Sequence, residues 1–198
     1  MNLSSDITHI TIDYVRQILM NDSSGHDYGH CLRVAALAEK IAQNYNCNTE
    51  LIQLASLLHD VDDKKIFGDN DNANIRSFFA KNFIPEEMQI QIQDIINFIS
   101  LDKQDDTVSI ETKIVQDADN LDALGAIGLA RMFAFGGAKG VVVYSPEECE
   151  NDSFSHYHNR LIRLPECMNT KEGLTEANLR IQFMEHFINQ FLKEVHGG

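Results

Sequence analysis

Histidine and aspartate side chains interrupt apolar segments at several positions of this 198-residue chain. The four that stand out are His30, His59, Asp60 and Asp119. Burying an ionised carboxylate costs several kcal/mol unless it is paired or binds a cation. Two imidazoles and two carboxylates suit an octahedral ion that keeps positions for water and a phosphate oxygen. The set therefore predicts a site for Mn²⁺, with Mg²⁺ or another transition metal as alternatives, and the lack of thiolates argues against structural zinc.

Each of these residues also has a structural explanation when it is taken alone. Asp60 can cap a helical turn, and His59 can satisfy a hydrogen bond in the core. Asp119 and Asp122 share one helix face at positions i and i+3, whereas Asp117 points elsewhere. Because a cation would offset the cost of burying this carboxylate cluster, we favour the metal site.

A peptidase motif is a competing interpretation of the first histidine. The segment His26–His30 has the spacing of the H-E-x-x-H helix, with Asp27 in place of the glutamate. Gly29 lies inside that motif, and a peptidase site leaves the later histidine and aspartates unexplained. The peptidase interpretation is therefore the weaker one.

Helical periodicity dominates the segments that must position these side chains. Apolar faces predict helices over 10–19, 32–41, 51–58, 75–83, 85–99, 110–135, 153–165 and 174–195. Thr49 is a candidate N-cap of the third helix. Gly125 and Gly128 lie inside the long helix predicted over 110–135, which Gly136 and Gly137 would end.

Strand signals are almost absent. The run Val141–Tyr144 is β-prone but fits a long loop over 138–152 better than a strand. The predicted fold is therefore all-α, an irregular helical bundle. The length predicts a single domain over residues 1–198, with core motifs over 26–137 and C-terminal helices over 153–195 that complete the pocket.

Composition limits the partners. The formal net charge of −14 repels long nucleic acids and anionic membranes, but a metal ion and a few basic residues can reverse the charge of one pocket. The sequence has no apolar run of the roughly 20 residues that a membrane span needs and no basic-then-apolar secretory start. Cys31, Cys47, Cys149 and Cys167 form no C-x-x-C pair, so we expect reduced thiols in a cytoplasmic protein.

The motifs resemble those of HD-superfamily phosphohydrolases. The elements that carry the likeness are His30-x-x-x-Val34, Leu57-Leu58-His59-Asp60 and Asp117-Ala118-Asp119-x-Leu121-Asp122-Ala123, in matching order and separation. A narrower likeness to small bacterial HD hydrolases extends over residues 20–195. It rests on His26-Asp27-x-x-His30, His59-Asp60-x-x-Asp63-x-Lys65, Gly125-Ala126-Ile127-Gly128-x-Ala130-Arg131, Phe133-x-x-Gly136-Gly137, His156-Tyr157-x-x-Arg160-Leu161 and Met168-Asn169-Thr170.

This resemblance implies a bundle of the HD type and a divalent metal. It also implies hydrolysis of phosphoester or phosphoanhydride bonds, and nucleoside triphosphate pyrophosphohydrolases are among the similar proteins. Asn120 stands where the group usually has Arg, and Arg160 stands where Lys is common. The first departure removes a cation that would touch substrate or Asp119, so it bears on substrate identity more than on metal binding.

Further residues are predicted to surround the metal. Asp63 follows the His–Asp pair and could orient or deprotonate a water, although it is also an ordinary candidate for a loop carboxylate or cap. Lys65, aided by Lys64, supplies positive charge for a phosphate. His26 lies four residues before His30 and is expected to line the pocket or assist a second ion.

Two later basic segments receive different interpretations. His156 and Arg160 are one helical turn apart and could bind the distal phosphates or the sugar, with surface positions as the alternative. Arg131 follows Asp119 by twelve residues, roughly 18 Å along a continuous helix, so it is interpreted as structural.

The predicted function is metal-dependent hydrolysis of a small phosphorylated metabolite. A nucleoside triphosphate cleaved to monophosphate and pyrophosphate is the leading substrate. The alternatives are a nucleotide phosphomonoesterase, a phosphodiesterase, and a nucleotide-sensing module that keeps the metal site without turnover.

Overall fold

Helices account for the regular structure of the chain, as the periodicity predicts. The computed structural model describes residues 3–20, 25–99, 107–146 and 152–198, and no strand occurs in these ranges. The helices are α1 (Leu3–Leu19), α2 (Tyr28–Ala42), α3 (Thr49–Leu58), α4 (Lys64–Phe67), α5 (Ala73–Asn82), α6 (Glu86–Ile99), α7 (Ile110–Asp122), α8 (Gly125–Ala138), α9 (Ser153–Asn159), a 3₁₀ helix (Leu161–Cys167) and α10 (Lys171–Val195). The prediction of an all-α fold is confirmed.

The centre of the bundle is formed by α2, α3 and α7, which pack against one another. Their facing sides carry fully buried aliphatic residues, among them Val34, Ile52, Leu58, Ile114 and Leu121. Helices α1 and α6 cover α3, and α10 packs across α7 and α8. His30 and Asp119 lie on α2 and α7, and the His59–Asp60 pair directly follows α3, so the packing that makes the core also brings these residues together.

Short polar side chains begin these helices. The Asp27 carboxylate accepts a hydrogen bond from the His30 backbone N–H at 2.7 Å, which fixes the first turn of α2. Asn48 caps α3 through Leu51 N–H at 3.1 Å. The expectation that Thr49 is the N-cap is therefore off by one residue, because Asn48 already satisfies the donor and Thr49 is helical.

The prediction of one long helix over 110–135 is wrong. The segment forms two helices, α7 and α8, whose axes are bent by 70°. Gly125 adopts a φ of +75°, which L-residues with a side chain rarely adopt, and a Cβ on Gly128 would lie 2.2 Å from the Ala123 carbonyl oxygen. The two glycines therefore build a sharp corner between two helices instead of lying inside one continuous helix.

The C-terminal region also differs in detail. The helix predicted over 153–165 is divided into α9 and the 3₁₀ helix, and Val141–Tyr144 lies in the loop after α8. Gly136 and Gly137 belong to the last turn of α8, which ends at Ala138.

No single helix in the described ranges is both long enough and apolar enough to cross a membrane. Helices α7 and α8 meet the length and composition criteria only as a pair, despite the 70° bend between them. Cys31, Cys47 and Cys167 carry unpaired thiols, and Cys149 lies outside the described residues.

Candidate metal centre and adjoining cavity

Two histidines face each other through the same ring atom. His30 Nε2 lies 3.0 Å from His59 Nε2. The His59 Nδ1 lies 2.7 Å from the Ser56 carbonyl oxygen, which can only accept, so Nδ1 carries the proton. His30 Nδ1 likewise lies 2.7 Å from the Asp122 carboxylate. With both Nδ1 atoms donating, two neutral rings direct their Nε2 lone pairs at each other.

Two carboxylate oxygens complete this cluster. Asp60 Oδ2 lies 3.4 Å from the Nε2 atoms of both His30 and His59. Asp119 Oδ1 lies 3.3 Å from His30 Nε2 and 3.7 Å from His59 Nε2. Neighbouring ligands of an octahedral ion lie about 3 Å apart when metal–ligand distances are roughly 2.1 Å. Each carboxylate therefore lies at close to ligand spacing from the same two imidazole nitrogens, as expected around one cation.

The electrostatics of the cluster also fit a cation. His30 and Asp60 are buried, and two lone pairs 3.0 Å apart with two carboxylates beside them repel one another unless positive charge lies between them. Burial alone would lower the pKa of His30, but hydrogen bonds to Asp119 and Asp122 outweigh it and raise that pKa to about 9. Without a metal, a proton on His30 thus supplies the positive charge that the site demands. The donor set fits a divalent ion.

The neighbouring histidines keep the Asp60 carboxylate ionised. Burial would raise the pKa of Asp60, but electrostatic attraction to the neighbouring imidazole of His59 and the hydrogen bond from His26 hold that pKa well below its usual range. His26 Nδ1 lies 3.0 Å from Asp60 Oδ2. His26, His30 and Asp60 form a second group with metal-ligand spacing next to the first.

Asp122 was noted in the sequence for sharing a face with Asp119 and as part of one HD-type motif, without being given a role. Its side chain is buried and accepts from His30 Nδ1 at 2.7 Å and from Arg33 Nε at 2.7 Å. Arg131 Nη1 donates to the same carboxylate at 3.0 Å. A carboxylate on the far nitrogen of a metal-binding histidine fixes its ring and tautomer, so Asp122 orients His30. The i, i+3 spacing from Asp119 was the signal for this role.

The interpretation of Arg131 as remote from the site needs correction. The corner between α7 and α8 turns the chain back, so Arg131 reaches Asp122 and also lines the cavity beside the metal cluster. A distance counted along one straight helix does not apply to two helices bent by 70°.

Asp117 serves the fold rather than the site, in agreement with its predicted direction. Its buried carboxylate accepts from the backbone N–H groups of Asn169 and Thr170, each at 2.8 Å, and from Thr170 Oγ1 at 2.6 Å. Gly173 leaves room for it, because a Cβ there would lie 2.3 Å from Asp117 Oδ2. Asp117 thus joins α7 to the start of α10.

The segment after the His–Asp pair forms one rim of the cavity. Asp63 and Lys64 line it, and the Lys64 side chain is 80% exposed with Asp69 at 3.9 Å. The Lys65 side chain lies outside the described residues, although its backbone belongs to α4. Asp62, which sequence reasoning missed, accepts from the backbone N–H groups of Asn74 and Ile75 at 3.0 and 2.8 Å. Asp62 therefore anchors the start of α5 beside the cavity.

The cavity has a volume of about 840 Å³, within the usual range for small-molecule sites. Asp60 and Asp119 open onto it, and His156 and Arg160 border it from α9 and its C-terminal end. One part of its wall is apolar, formed by Ile96, Ile99, Met132, Phe135, Leu161 and Leu164. Gln93, Asn97 and Asn120 add side-chain amides. The cavity therefore combines an anionic metal cluster, cationic groups and an apolar surface.

Known proteins share this sequence and fold. The sequence profile of the HD domain family matches residues 27–124. Bacillus subtilis YpgQ is 36% identical over 191 residues, which span 93% of this chain and 91% of YpgQ. An HD-superfamily hydrolase from Bacillus thuringiensis has a crystal structure that aligns with a TM-score of 0.80 at 37% identity, covering 98% of this chain and 100% of that one. The crystal structure of YpgQ in complex with ADP aligns with a TM-score of 0.83 at 32% identity, covering 96% of each chain.

Proposed function

The chain belongs to the HD domain family and is a metal-dependent phosphohydrolase, and we propose that it converts a nucleoside triphosphate to the monophosphate and pyrophosphate. The observation that carries this proposal is the His30–His59 pair flanked by Asp60 and Asp119, beside a cavity of about 840 Å³. YpgQ, crystallised with ADP, supports a nucleotide as the ligand class. The choice of triphosphate rests on the resemblance of the motifs to small bacterial pyrophosphohydrolases.

His30, His59, Asp60 and Asp119 are the proposed ligands of the metal. We propose Mn²⁺ because a mixed set of imidazole and carboxylate ligands suits it better than Mg²⁺, which prefers oxygen. When bound, such an ion lowers the pKa of water and polarises a phosphoryl oxygen. Asp122 and the Ser56 carbonyl keep the two imidazole rings in the tautomer that leaves Nε2 unprotonated.

The side chains around the cluster are proposed to accept a proton and to bind the phosphate. Asp63, on the rim, is the proposed proton acceptor for the attacking water. Lys65 offsets charge that develops on the phosphate, and Lys64 adds to the local positive charge. His26, through its contact with Asp60, lies where it can also donate to a phosphate oxygen.

The opposite side of the cavity would hold the rest of the nucleotide. His156 and Arg160 are the proposed contacts for the distal phosphates or the sugar. The apolar wall offers a surface for a nucleobase, and the amides of Gln93 and Asn97 are available for its polar edge. Asn120 lines the cavity at a position where similar proteins usually have an arginine. Its amide would therefore contact a different chemical group of the substrate than a guanidinium would.

The proposal extends to the cellular setting and to the extent of the domain. We propose a cytoplasmic enzyme with reduced thiols and a single domain over residues 1–198. The cavity lining draws residues from the segments before and after the corner at Gly125, which supports one functional unit. The net charge of −14 disfavours long nucleic acids and anionic membranes as partners.

Product analysis tests the reaction. Metal-stripped protein is supplied with Mn²⁺, Mg²⁺ or Co²⁺ and with nucleoside triphosphates, monophosphates or cyclic diesters, and phosphate and pyrophosphate are measured separately. Monophosphate with pyrophosphate supports the proposal. Nucleoside with phosphate would identify a phosphomonoesterase, activity confined to diesters a phosphodiesterase, and binding without any product a nucleotide sensor.

A further inference from the structure

The guanidinium of Arg131 is a cation within the cavity wall whose position is fixed by two hydrogen bonds. Its Nε donates to the Gly25 carbonyl at 2.8 Å and its Nη1 to Asp122 Oδ2 at 3.0 Å. The side chain is only 17% exposed. Because its rotamer freedom is already lost in the fold, little further entropy is lost when it binds a ligand.

Two guanidinium groups share the Asp122 carboxylate. Arg33 Nε lies 2.7 Å from Oδ1, and Arg131 Nη1 lies 3.0 Å from Oδ2. Asp27 is a second carboxylate that acts on Arg33. A guanidinium has five N–H donors, and the bonds to Gly25 and Asp122 use two of those of Arg131, so Arg131 can also donate to a phosphate oxygen.

Position distinguishes the two arginines. Arg131 lines the cavity that holds Asp60 and Asp119, whereas Arg33 is not among the residues that line it. Asp122 Oδ2 also accepts from His30 Nδ1 at 2.7 Å. Arg131 therefore lies two hydrogen bonds from a proposed metal ligand and faces the same space, which suits a phosphate next to the one that the metal would polarise.

The other described Arg and Lys residues of the cavity wall are less constrained. Lys64 is 80% exposed and pairs with Asp69, and Arg160 is exposed. An exposed long side chain must be ordered when it binds, and water screens its charge. Among the described Arg and Lys residues that line the cavity, Arg131 therefore needs the least additional ordering of its side chain to bind an anion.

We propose that Arg131 is a substrate-binding residue that donates to a phosphate oxygen of the nucleotide, in addition to its structural contacts. The inference rests on the proposed function, since it takes the substrate to be a nucleoside triphosphate. The matched comparison is Arg131→Met with Arg33→Met, because both variants remove one guanidinium from Asp122 and only the first removes a cation from the cavity.

The test measures binding of a triphosphate analogue with a methylene group between its α and β phosphorus atoms, by calorimetry in the presence of Mn²⁺. Arg131→Met should weaken binding roughly 10- to 100-fold, the loss expected for one charge-assisted hydrogen bond. Arg33→Met should change it by less than about threefold. Equal weakening in both variants, or unchanged binding in Arg131→Met, would overturn the proposal.

Two further measurements keep the test decisive. If Arg131→Met loses helical circular dichroism, Arg131→Lys replaces it, and a charge without the guanidinium fork should still weaken binding several-fold. If the wild-type protein hydrolyses no triphosphate, the proposed reaction fails but the phosphate contact does not. Inorganic pyrophosphate then serves as the probe, with the same difference expected between the Arg131 and Arg33 variants.

Discussion

The Asp122 carboxylate accepts a hydrogen bond from His30 Nδ1 at 2.7 Å, joining residues 92 positions apart in the chain. This contact fixes which nitrogen of His30 carries a proton and which faces Asp60, Asp119 and His59. The metal site is therefore set by α2 and α7 together, and a residue outside the proposed ligand set controls it.

Asp122→Asn is expected to weaken metal binding without removing it. The amide oxygen can still accept from His30 Nδ1, but the loss of its negative charge makes the imidazole a poorer ligand. Changes to a residue that orients a metal-binding histidine typically cost about 10- to 100-fold in metal affinity. Competition with a chromophoric chelator measures the Mn²⁺ dissociation constant.

Asp117→Asn is the matched control, because Asp117 is a buried carboxylate of the same helix that contacts Asn169 and Thr170 instead of a histidine. It should lower the midpoint of thermal unfolding and leave metal affinity nearly unchanged. Equal metal affinity in wild type and Asp122→Asn would refute the orienting role.

His59→Ala and Asp60→Ala are each expected to abolish stoichiometric metal binding. The wild-type chain should bind about one divalent transition ion through His30, His59, Asp60 and Asp119, and each variant removes one of these proposed ligands. Both side chains lie at the C-terminal end of α3, so the helical circular dichroism should be largely retained. Elemental analysis after dialysis measures occupancy, and full occupancy in both variants would contradict the ligand assignment.

The helical class could be predicted from the apolar periodicity of the sequence. The residues that meet at the centre could be predicted because they are polar side chains that interrupt apolar segments. The corner between α7 and α8 could not. Leu121, Leu124, Leu129 and Met132 are buried on both sides of it, so the apolar pattern runs on without a break. Only the positive φ of Gly125 and the close approach at Gly128 reveal the turn, and these depend on tertiary packing.

The corner between α7 and α8 explains why the sequence analysis interpreted Arg131 as remote from the site. Along a continuous helix Arg131 would point away from Asp119, whereas the bend returns it to Asp122. Asp62 was missed for a related reason, since its partners Asn74 and Ile75 follow in a separate helix. The spacing of residues in sequence identifies the chemistry of a cluster, but tertiary contacts decide which neighbours support it.

Asp63→Asn is expected to keep the metal and lose turnover. General acid–base assistance typically contributes roughly 10²- to 10⁴-fold, so kcat should fall within that range while the Mn²⁺ dissociation constant stays the same. Asp63 also has a structural part, because its backbone carbonyl accepts from Ile66 and Phe67 at the start of α4. The amide substitution leaves those backbone bonds in place, so wild-type kcat in this variant would reduce Asp63 to a structural residue.

The pH dependence of stability should differ between the metal-free and metal-bound forms. Burial lowers the pKa of His30, but hydrogen bonds to Asp119 and Asp122 raise it overall to about 9 in the metal-free protein. Since the unfolded value is near 6.5, the stabilisation from this proton is fully present below about pH 6.5 and is lost as the pH rises through 9. The free energy of unfolding of the metal-free form should therefore fall by up to about 1.4 kcal/mol per pH unit in that interval.

The same proton competes with the metal, so the apparent affinity for Mn²⁺ should rise about tenfold per pH unit over the same interval. Denaturant titrations from pH 6 to 9, with chelator or with saturating Mn²⁺, measure both effects. Because the bound metal replaces the His30 proton, the metal-bound form should lack the decline in stability. His30→Asn removes the titrating ring and should flatten the chelator curve as well. A metal-free wild type whose stability does not decline between pH 6.5 and 9 would show that His30 is not the group holding the proton.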